Sequence, residues 1–457
     1  HEAVAHEAFD REGGCDAVDA DNADNTYNAD AAGEVANALK RKGVPVEPLM
    51  LALFLLYEQP QRVSRQDMSI WLPVDSLGLT PSTLEWLRAS DPARAAAWPK
   101  RAVPSTALRF SLPCSLVRRW SRALPPTELD SLADCCNAPA RVTLRVNAAL
   151  TNRKAVFDRL RISGVDCEMA NLSLWGIHLK GGRESRGGSV WSLPGWTEGE
   201  FELQDEGSQC IALACDVRPG DTVLDLCAGN GGKTLALASL VGEHGKVLAY
   251  DINAGRLKQL AASAIRARVS DRVQVLWDAE ALARVLDVDV VLVDAPCSSS
   301  GVLRRHPSLR WSGQWASDAA RKWPRIQLSL LREACWRVRV GGKLVYATCA
   351  LEREQNEQVA DAFSDGAAGG GGGGGGDGGR DGDARGGGED EGGVGVGGSS
   401  ERAGSTIGEG QVSPVFRPFA FAENVVGRHA APTHYRTLWP HLHGTDGFFV
   451  SRWVRES

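Results

Sequence analysis

Five short hydrophobic runs between residues 201 and 362, each separated from the next by a helical stretch, constrain this chain more than any other feature. The runs fall at 222–226, 246–250, 273–277, 290–293 and 343–347, with helices most evident over 254–267 and 326–338. Strands alternating with helices predict an α/β domain with a doubly wound, mostly parallel sheet of Rossmann-like type. In such open sheets, ligands bind outside the carboxyl ends of the strands. The residues that end each strand are therefore the first candidates for a site.

The first strand runs into a glycine turn, Cys227-Ala228-Gly229-Asn230-Gly231-Gly232-Lys233. Glycines let the backbone pass close to a ligand at the next helix's N-terminus. The turn is neither a Walker A sequence nor a G-x-G-x-x-G in register, so alone it says little. The second strand ends in Asp251, 25 positions after Leu226, about where a carboxylate accepts hydrogen bonds from ribose hydroxyls. The third ends in Asp278, placed to meet an adenine amino edge. Each aspartate by itself is an ordinary solvated strand-end charge. Three successive strand ends of matching chemistry point to a nucleoside cofactor, for which S-adenosylmethionine fits at least as well as NAD.

The last two strands end near cysteines. Cysteine is among the most buried residue types, and Cys210, Cys215, Cys227 and Cys335 sit in apolar contexts that read as packing. Cys297 differs, lying three residues past Asp294 in Asp294-Ala-Pro-Cys-Ser-Ser-Ser-Gly301, and Cys349 follows Thr348. Lys233, Arg304 or Arg305 could stabilise a thiolate there. Two thiols beside a cofactor turn point to covalent chemistry on a substrate.

The net charge of −6 is unevenly spread: ten acidic and two basic residues lie within 1–40, and ten acidic and three basic within 361–410. The remainder carries +9, which suits a polyanionic partner without proving one. None of the eleven cysteines is spaced as C-x-x-C, so zinc-ribbon and secreted-framework readings lack their spacing, and a reducing, intracellular compartment is expected with no metal site. No apolar run reaches the roughly 18–20 residues that a membrane span needs. A start at His1 rather than Met reads as a fragment or processed product, leaving any targeting peptide out of view. We expect a disordered acidic N-terminus over 1–30, a helical region over 31–140 and a small α+β module over 141–200. A catalytic domain follows over 201–457, interrupted by a disordered glycine-rich insertion at 366–410.

The segment Asp294-Ala-Pro-Cys-Ser-Ser-Ser-Gly-Val-Leu-Arg-Arg-His-Pro-Ser-Leu-Arg-Trp311, with Tyr346-Ala-Thr-Cys349 and Glu354-Gln-Asn-Glu357, resembles the RsmB/NOP/Sun family of RNA (cytosine-5) methyltransferases. The bacterial ribosomal-RNA branch is the most similar in character. The resemblance runs from about 111 to 452 without the insertion and includes Arg145-Val-Asn147, Leu193-Pro-Gly195, Gln204-Asp-Glu206 and Asp446-Gly-Phe-Phe449. It implies a class I S-adenosylmethionine-dependent methyltransferase fold, with residues 227–233, Asp251, Asp278 and Asp294 lining the cofactor site. It also implies Cys349 as the nucleophile at cytosine C6, Cys297 as the thiol that assists product release, and Asp294, with Lys233 nearby, on the cytosine edge. Residues 31–105 would be a worn NusB-like domain, the substrate ribosomal RNA, and the protein a monomer.

Departures are Gly229-Asn230 in place of Ala-Pro, which should loosen the turn, Ser299-Ser300 in place of Gly/Ala-Thr, and Ala350 in place of Ser. Arg304, Arg305, His306, Arg310 and Trp311 read either as a solvated basic loop or as a backbone clamp with a stacking surface for a single-stranded or flipped nucleotide. A catalytically weak ribosome-assembly factor and a DNA cytosine-5 methyltransferase remain alternatives. Nucleolar, cytoplasmic and organellar sites all stay open.

Overall fold

The structure, a computed structural model, describes residues 106–107, 109–181, 189–312, 315, 317–368, 414–421 and 434–457. The acidic stretch 1–30, the NusB-like reading of 31–105 and residues 369–410 of the glycine-rich stretch lie outside the described residues.

Two helices come first, α1 (Cys114–Trp120) and α2 (Pro126–Asn137). Pro126 opens α2, where a proline's missing N–H is no loss and its fixed φ suits the first turn. Leu116, Val117, Trp120, Leu129 and Leu132 are fully buried and share a core with Leu303, Trp315 and Leu351. The helix pair thus packs behind the segments that follow Cys297 and Cys349.

The predicted α+β module comprises β1 (Val142–Val146), α3 (Arg153–Ile162), β2 (Cys167–Met169), β3 (Gly176–Leu179) and β4 (Phe201–Leu203). Its strands lie in the order β2-β3-β1-β4, with antiparallel neighbours. The module ends later than the expected residue 200, because β4 pairs with β1 and completes the sheet. Residues 190–193, whose sequence predicts a short strand within the module, hold a 3-10 turn over Val190–Ser192 instead. Ser189 caps that turn by accepting from the Trp191 N–H, and Pro194 follows, so no ladder can form.

The module is pinned to the larger domain by its first strand. Arg145 donates to Gln204 Oε1 at 2.9 Å and to the Gly232 carbonyl at 2.5 Å. Asn147 Nδ2 donates to the Gly199 and Ala267 carbonyls at 2.9 and 2.8 Å.

The larger domain begins with α4 (Glu206–Ala214), β5 (Thr222–Asp225), α5 (Gly232–Leu240), β6 (Lys246–Tyr250) and α6 (Ala254–Arg266). It continues through β7 (Val273–Leu276), α7 (Ala279–Ala283), β8 (Val288–Asp294), α8 (Ser317–Ala334), β9 (Val338–Thr348) and α9 (Glu357–Ala368). It closes with β10 (Phe416–Pro418), β11 (Tyr435–Leu438), α10 (Pro440–His443) and β12 (Phe448–Arg455). The sheet order is β10-β12-β9-β8-β5-β6-β7, with β11 also paired to β12. Strands β5 to β9 run parallel and β12 is antiparallel to β9, which bears out the doubly wound, mostly parallel prediction.

Val223, Leu224 and residues 290–293 are buried on both faces, as a sheet covered by helices requires. The chain winds outward from β5 in both directions, so the switch point lies between β5 and β8, with a crevice over their carboxyl ends. Helix α9 continues through Gly366 to Ala368, three residues into the stretch expected to be disordered. None of the described helices is long and apolar enough to cross a membrane.

Candidate active site

Strands β8 and β9 are parallel neighbours in register, with Asp294 opposite Ala347, so the loops beyond them leave the sheet side by side. The Ala295 N–H donates to the Ala347 carbonyl at 2.8 Å, and the Gly301 N–H to the Cys349 carbonyl at 2.9 Å. Held this way, Cys297 Sγ and Cys349 Sγ stand 3.3 Å apart. Ser299 Oγ lies 3.5 Å from Cys349 Sγ, on a residue with a φ of 60°. That conformation is uncommon for a non-glycine residue and gathers at functional sites.

The two thiols differ in acidity. The hydrogen bond shared with Cys349, together with burial, pushes Cys297 well above the ordinary thiol value. The same bond pulls Cys349 below it; Ser299 and Lys233 act in the same direction, while burial and Asp294 oppose. Of the two, Cys349 is the more acidic thiol. Elsewhere burial pushes Cys210, Cys215 and Cys227 upward, Cys335 to about 11 and Cys136 to about 12, which leaves them as packing thiols.

Lys233 Nζ donates to Asp294 Oδ2 at 2.6 Å. Burial works against the ammonium, but the Asp294 carboxylate outweighs it and leaves Lys233 above its usual value.

Beside these groups opens a cleft of about 2080 Å³, lined by residues 227–230, Gly232, Lys233, Asp251 and Asp294. Gly229 has a φ of 56° and donates its N–H to Asp251 Oδ2 at 2.9 Å, while Asp251 Oδ1 accepts from the Asn253 N–H at 2.8 Å. Two of the proposed cofactor residues do not line the cleft. Gly231 packs under α6, where a Cβ would come within 2.6 Å of Leu260 Cγ. Asp278 is exposed and caps α7, accepting from the Ala281 N–H at 2.7 Å. Gln204, Ser208, Tyr250, Ile252, Arg256 and Pro296 also line the cleft and were missed. Of these, Ile252 follows a strand-end aspartate, the one signal in the sequence that could have marked it.

The basic loop after Cys297 is not a free clamp. Arg304 Nε donates to Asp446 Oδ1 at 2.6 Å, and Arg305 Nη2 to Asp205 Oδ2 at 2.8 Å, with a further bond from Arg305 to Asp446. Arg310 donates to the Cys136 carbonyl at 2.7 Å. These three guanidiniums are committed within the fold because matching acceptors from distant segments pack onto them. His306 stays exposed, and the side chain of Trp311 lies outside the described residues.

A family model described as 16S rRNA methyltransferase RsmB/F matches residues 212–367. A second, for the RsmF/B-like ferredoxin-like domain, matches 112–185, and together they cover half the chain. The chain belongs to the RsmB/NOP/Sun family. The ferredoxin-like match begins just ahead of α1 and takes in both α1 and α2.

Within the RsmB/NOP/Sun family, the probable ribosomal RNA small subunit methyltransferase B of Bacillus subtilis is 32% identical over 260 residues, 56% of this chain and 56% of its own length. The 28S rRNA (cytosine(4447)-C(5))-methyltransferase of Homo sapiens is 31% identical over 262 residues, 56% of this chain and 31% of its own. The chain spans about half the length of the first of these curated relatives. A methyltransferase homolog protein from Pyrococcus horikoshii shares the fold, with a TM-score of 0.57 at 22% identity over 79% of this chain and 100% of that one.

Proposed function

We propose that this protein methylates C5 of a cytosine in RNA, with S-adenosylmethionine as donor and ribosomal RNA as the substrate class. The observation that carries the reading is the sulfur pair at the ends of β8 and β9, one thiol made acidic by the other, next to the glycine turn. The names of the curated relatives support the substrate class.

The cleft suits that donor. Open space lies where a Gly229 side chain would stand, and Asp251 is held rigid by two backbone amides. Residues 227–230, Gly232, Lys233 and Asp251 would hold it. When bound, S-adenosylmethionine supplies an electrophilic methyl group.

Cytosine C5 is a poor nucleophile, so the ring must first be activated. The Cys349 thiolate adds to C6 and leaves C5 electron-rich. Asp294, steadied by Lys233, hydrogen-bonds the N3/N4 edge and stabilises the protonated ring as charge develops. Once C5 is substituted and its proton removed, the Cys349–C6 bond breaks and Cys297 assists release. A target base inside a helix must first leave its stack.

The test uses ribosomal RNA with methyl-labelled donor, followed by denaturing electrophoresis. Cys349→Ala should abolish labelling, and Cys297→Ala should accumulate an RNA–protein adduct. An adduct formed by Cys349→Ala and lost in Cys297→Ala would reverse the roles and reject this assignment.

A further inference from the structure

Three residues beyond Cys349 lies a carboxylate that the chemistry above does not use. Glu352 is 1% exposed, and its oxygens face both thiol loops. Glu352 Oε2 accepts from the Ser300 hydroxyl at 2.7 Å and from the Leu351 N–H at 3.1 Å. The Ser298 hydroxyl reaches both oxygens, at 3.2 and 3.1 Å. Ser298 directly follows Cys297. One side chain therefore gathers two hydroxyls from the Cys297 loop and one amide from the Cys349 loop.

We infer that Glu352 is the positioning residue that locks these two loops together and sets the separation of the two sulfurs. The inference rests on the catalytic roles proposed for Cys297 and Cys349. A buried carboxylate is costly unless several donors meet it, and here three groups do. Burial raises its pKa above the ordinary carboxylate value, while the Ser300 and Ser298 hydroxyls, its own backbone amide and the Arg119 guanidinium act the other way. Ser298 and Ser299 precede the 3-10 turn that opens at Ser300, and Ser299 is held at positive φ, so something must over-determine the loop. Three further bonds join the loops: Gly301 N–H to the Cys349 carbonyl, Leu351 N–H to Ser300 Oγ and Ser298 N–H to Gln355 Oε1, each at 2.9 Å, but only Glu352 gathers donors from both sides on one side chain. Glu352 touches neither sulfur and acts through Ser298 and Ser300. Hydrogen bonds weaken steeply with distance, so loosening that link weakens the Cys297 donation that keeps Cys349 acidic. The charged and titratable groups facing Cys349 are Cys297, Asp294 and Lys233, with the Ser299 hydroxyl.

The experiment uses the full chain with neither RNA nor methyl donor, so a chain inactive as a methyltransferase still answers the question. Diamide takes two electrons and two protons from a thiol pair; the Cys297–Cys349 cross-link is followed by peptide mass. In parallel, the pH profile of Cys349 alkylation by iodoacetamide reports its thiolate fraction. Wild type should cross-link readily. Glu352→Ala should move the alkylation midpoint upward by about one pH unit and slow cross-linking at neutral pH about tenfold, as the thiolate fraction falls. Glu352→Gln should restore both, since its amide oxygen can accept from Ser300 and Leu351 while its nitrogen donates to Ser298 Oγ. Thermal unfolding identifies variants that keep the fold. If Glu352→Ala does not fold, Ser300→Ala removes the shortest of these bonds from the other side and should slow cross-linking in the same direction. Wild-type midpoint and cross-linking rate in a folded Glu352→Ala or, failing that, Ser300→Ala would overturn the inference. So would Glu352→Gln behaving as Glu352→Ala does.

Discussion

The hydrogen bond to Cys297, 3.3 Å away, is the largest of the influences that pull Cys349 below the ordinary thiol value, ahead of Ser299 and Lys233. Replacing Cys297 by Ala removes that donor and leaves burial and the Asp294 charge opposed only by Ser299 and Lys233. The alkylation midpoint of Cys349 should therefore rise in Cys297→Ala, and the trapped adduct should form faster as pH is raised. An unchanged midpoint would assign its acidity to Lys233 instead. Asp225 makes a second single-residue case. It is 1% exposed at the end of β5, accepts from the Thr234 hydroxyl at 2.7 Å, and its Oδ1 has no partner among the described residues. Burial raises its pKa from 3.8 to about 7. Between those values the folded chain holds a proton that the unfolded chain has lost. Stability from this group is thus complete below about 4 and disappears as pH rises through about 7, at up to about 1.4 kcal/mol per pH unit. Denaturant unfolding from pH 4.5 to 7.5 should show wild type losing this increment relative to Asp225→Asn, which cannot ionise. Parallel curves for the two proteins would show that Asp225 is not protonated in the fold.

The loop between β8 and α8 is fastened at the level of whole elements. Arg304 and Arg305 bind Asp205, which caps α4, and Asp446, which precedes β12, so three elements meet at one ion cluster. Asp446 is 1% exposed; Asp446→Ala leaves the Arg304 side chain, 6% exposed, with Asp205 at 3.8 Å as its remaining carboxylate and the Gly444 carbonyl at 3.4 Å. Breaking such a pair from one side should destabilise the fold by about 3–5 kcal/mol in denaturant unfolding, because the remaining charge stays buried. A loss below about 1 kcal/mol would mean the cluster is solvated and the arginines are free for other partners. This cluster also explains what the sequence could not reveal. Strand ends were legible because hydrophobic period and terminal residue type are local signals, and they placed Cys297, Cys349, Asp251 and Asp294 correctly at the carboxyl edge. Whether Arg304 is a clamp or a tether depends on Asp205 and Asp446, 99 residues before it and 142 after it, and no local pattern encodes that pairing. The apolar stretch 190–193 failed for the opposite reason. Its residue types suit a strand, but a cap at Ser189 and a proline at 194 outweigh a preference spread over only three or four positions.

At the scale of the whole molecule, committing Arg304, Arg305 and Arg310 inward moves the question of RNA contact to other cations. Helix α8 carries Arg321, Lys322 and Arg325 exposed to solvent, with no carboxylate partner among the described residues. Its Gln327 donates to the Pro296 carbonyl at 3.0 Å, beside the cleft, and Ile326 and Leu330 line the cleft itself. A helix rises about 1.5 Å per residue, so residues 321–325 lie about 3–9 Å along the axis from Gln327. Three phosphates neutralised there give a log–log salt slope of about −2 for single-stranded RNA, or roughly 16- to 20-fold weaker binding at 200 mM than at 50 mM salt. Arg321→Glu and Arg325→Glu should each weaken binding of unrelated RNA sequences to a similar degree and make the slope shallower by somewhat less than one unit. Thermal unfolding should not change, since neither side chain has a described ion pair to lose. If both substitutions leave the slope unaltered, the phosphates are not held by α8.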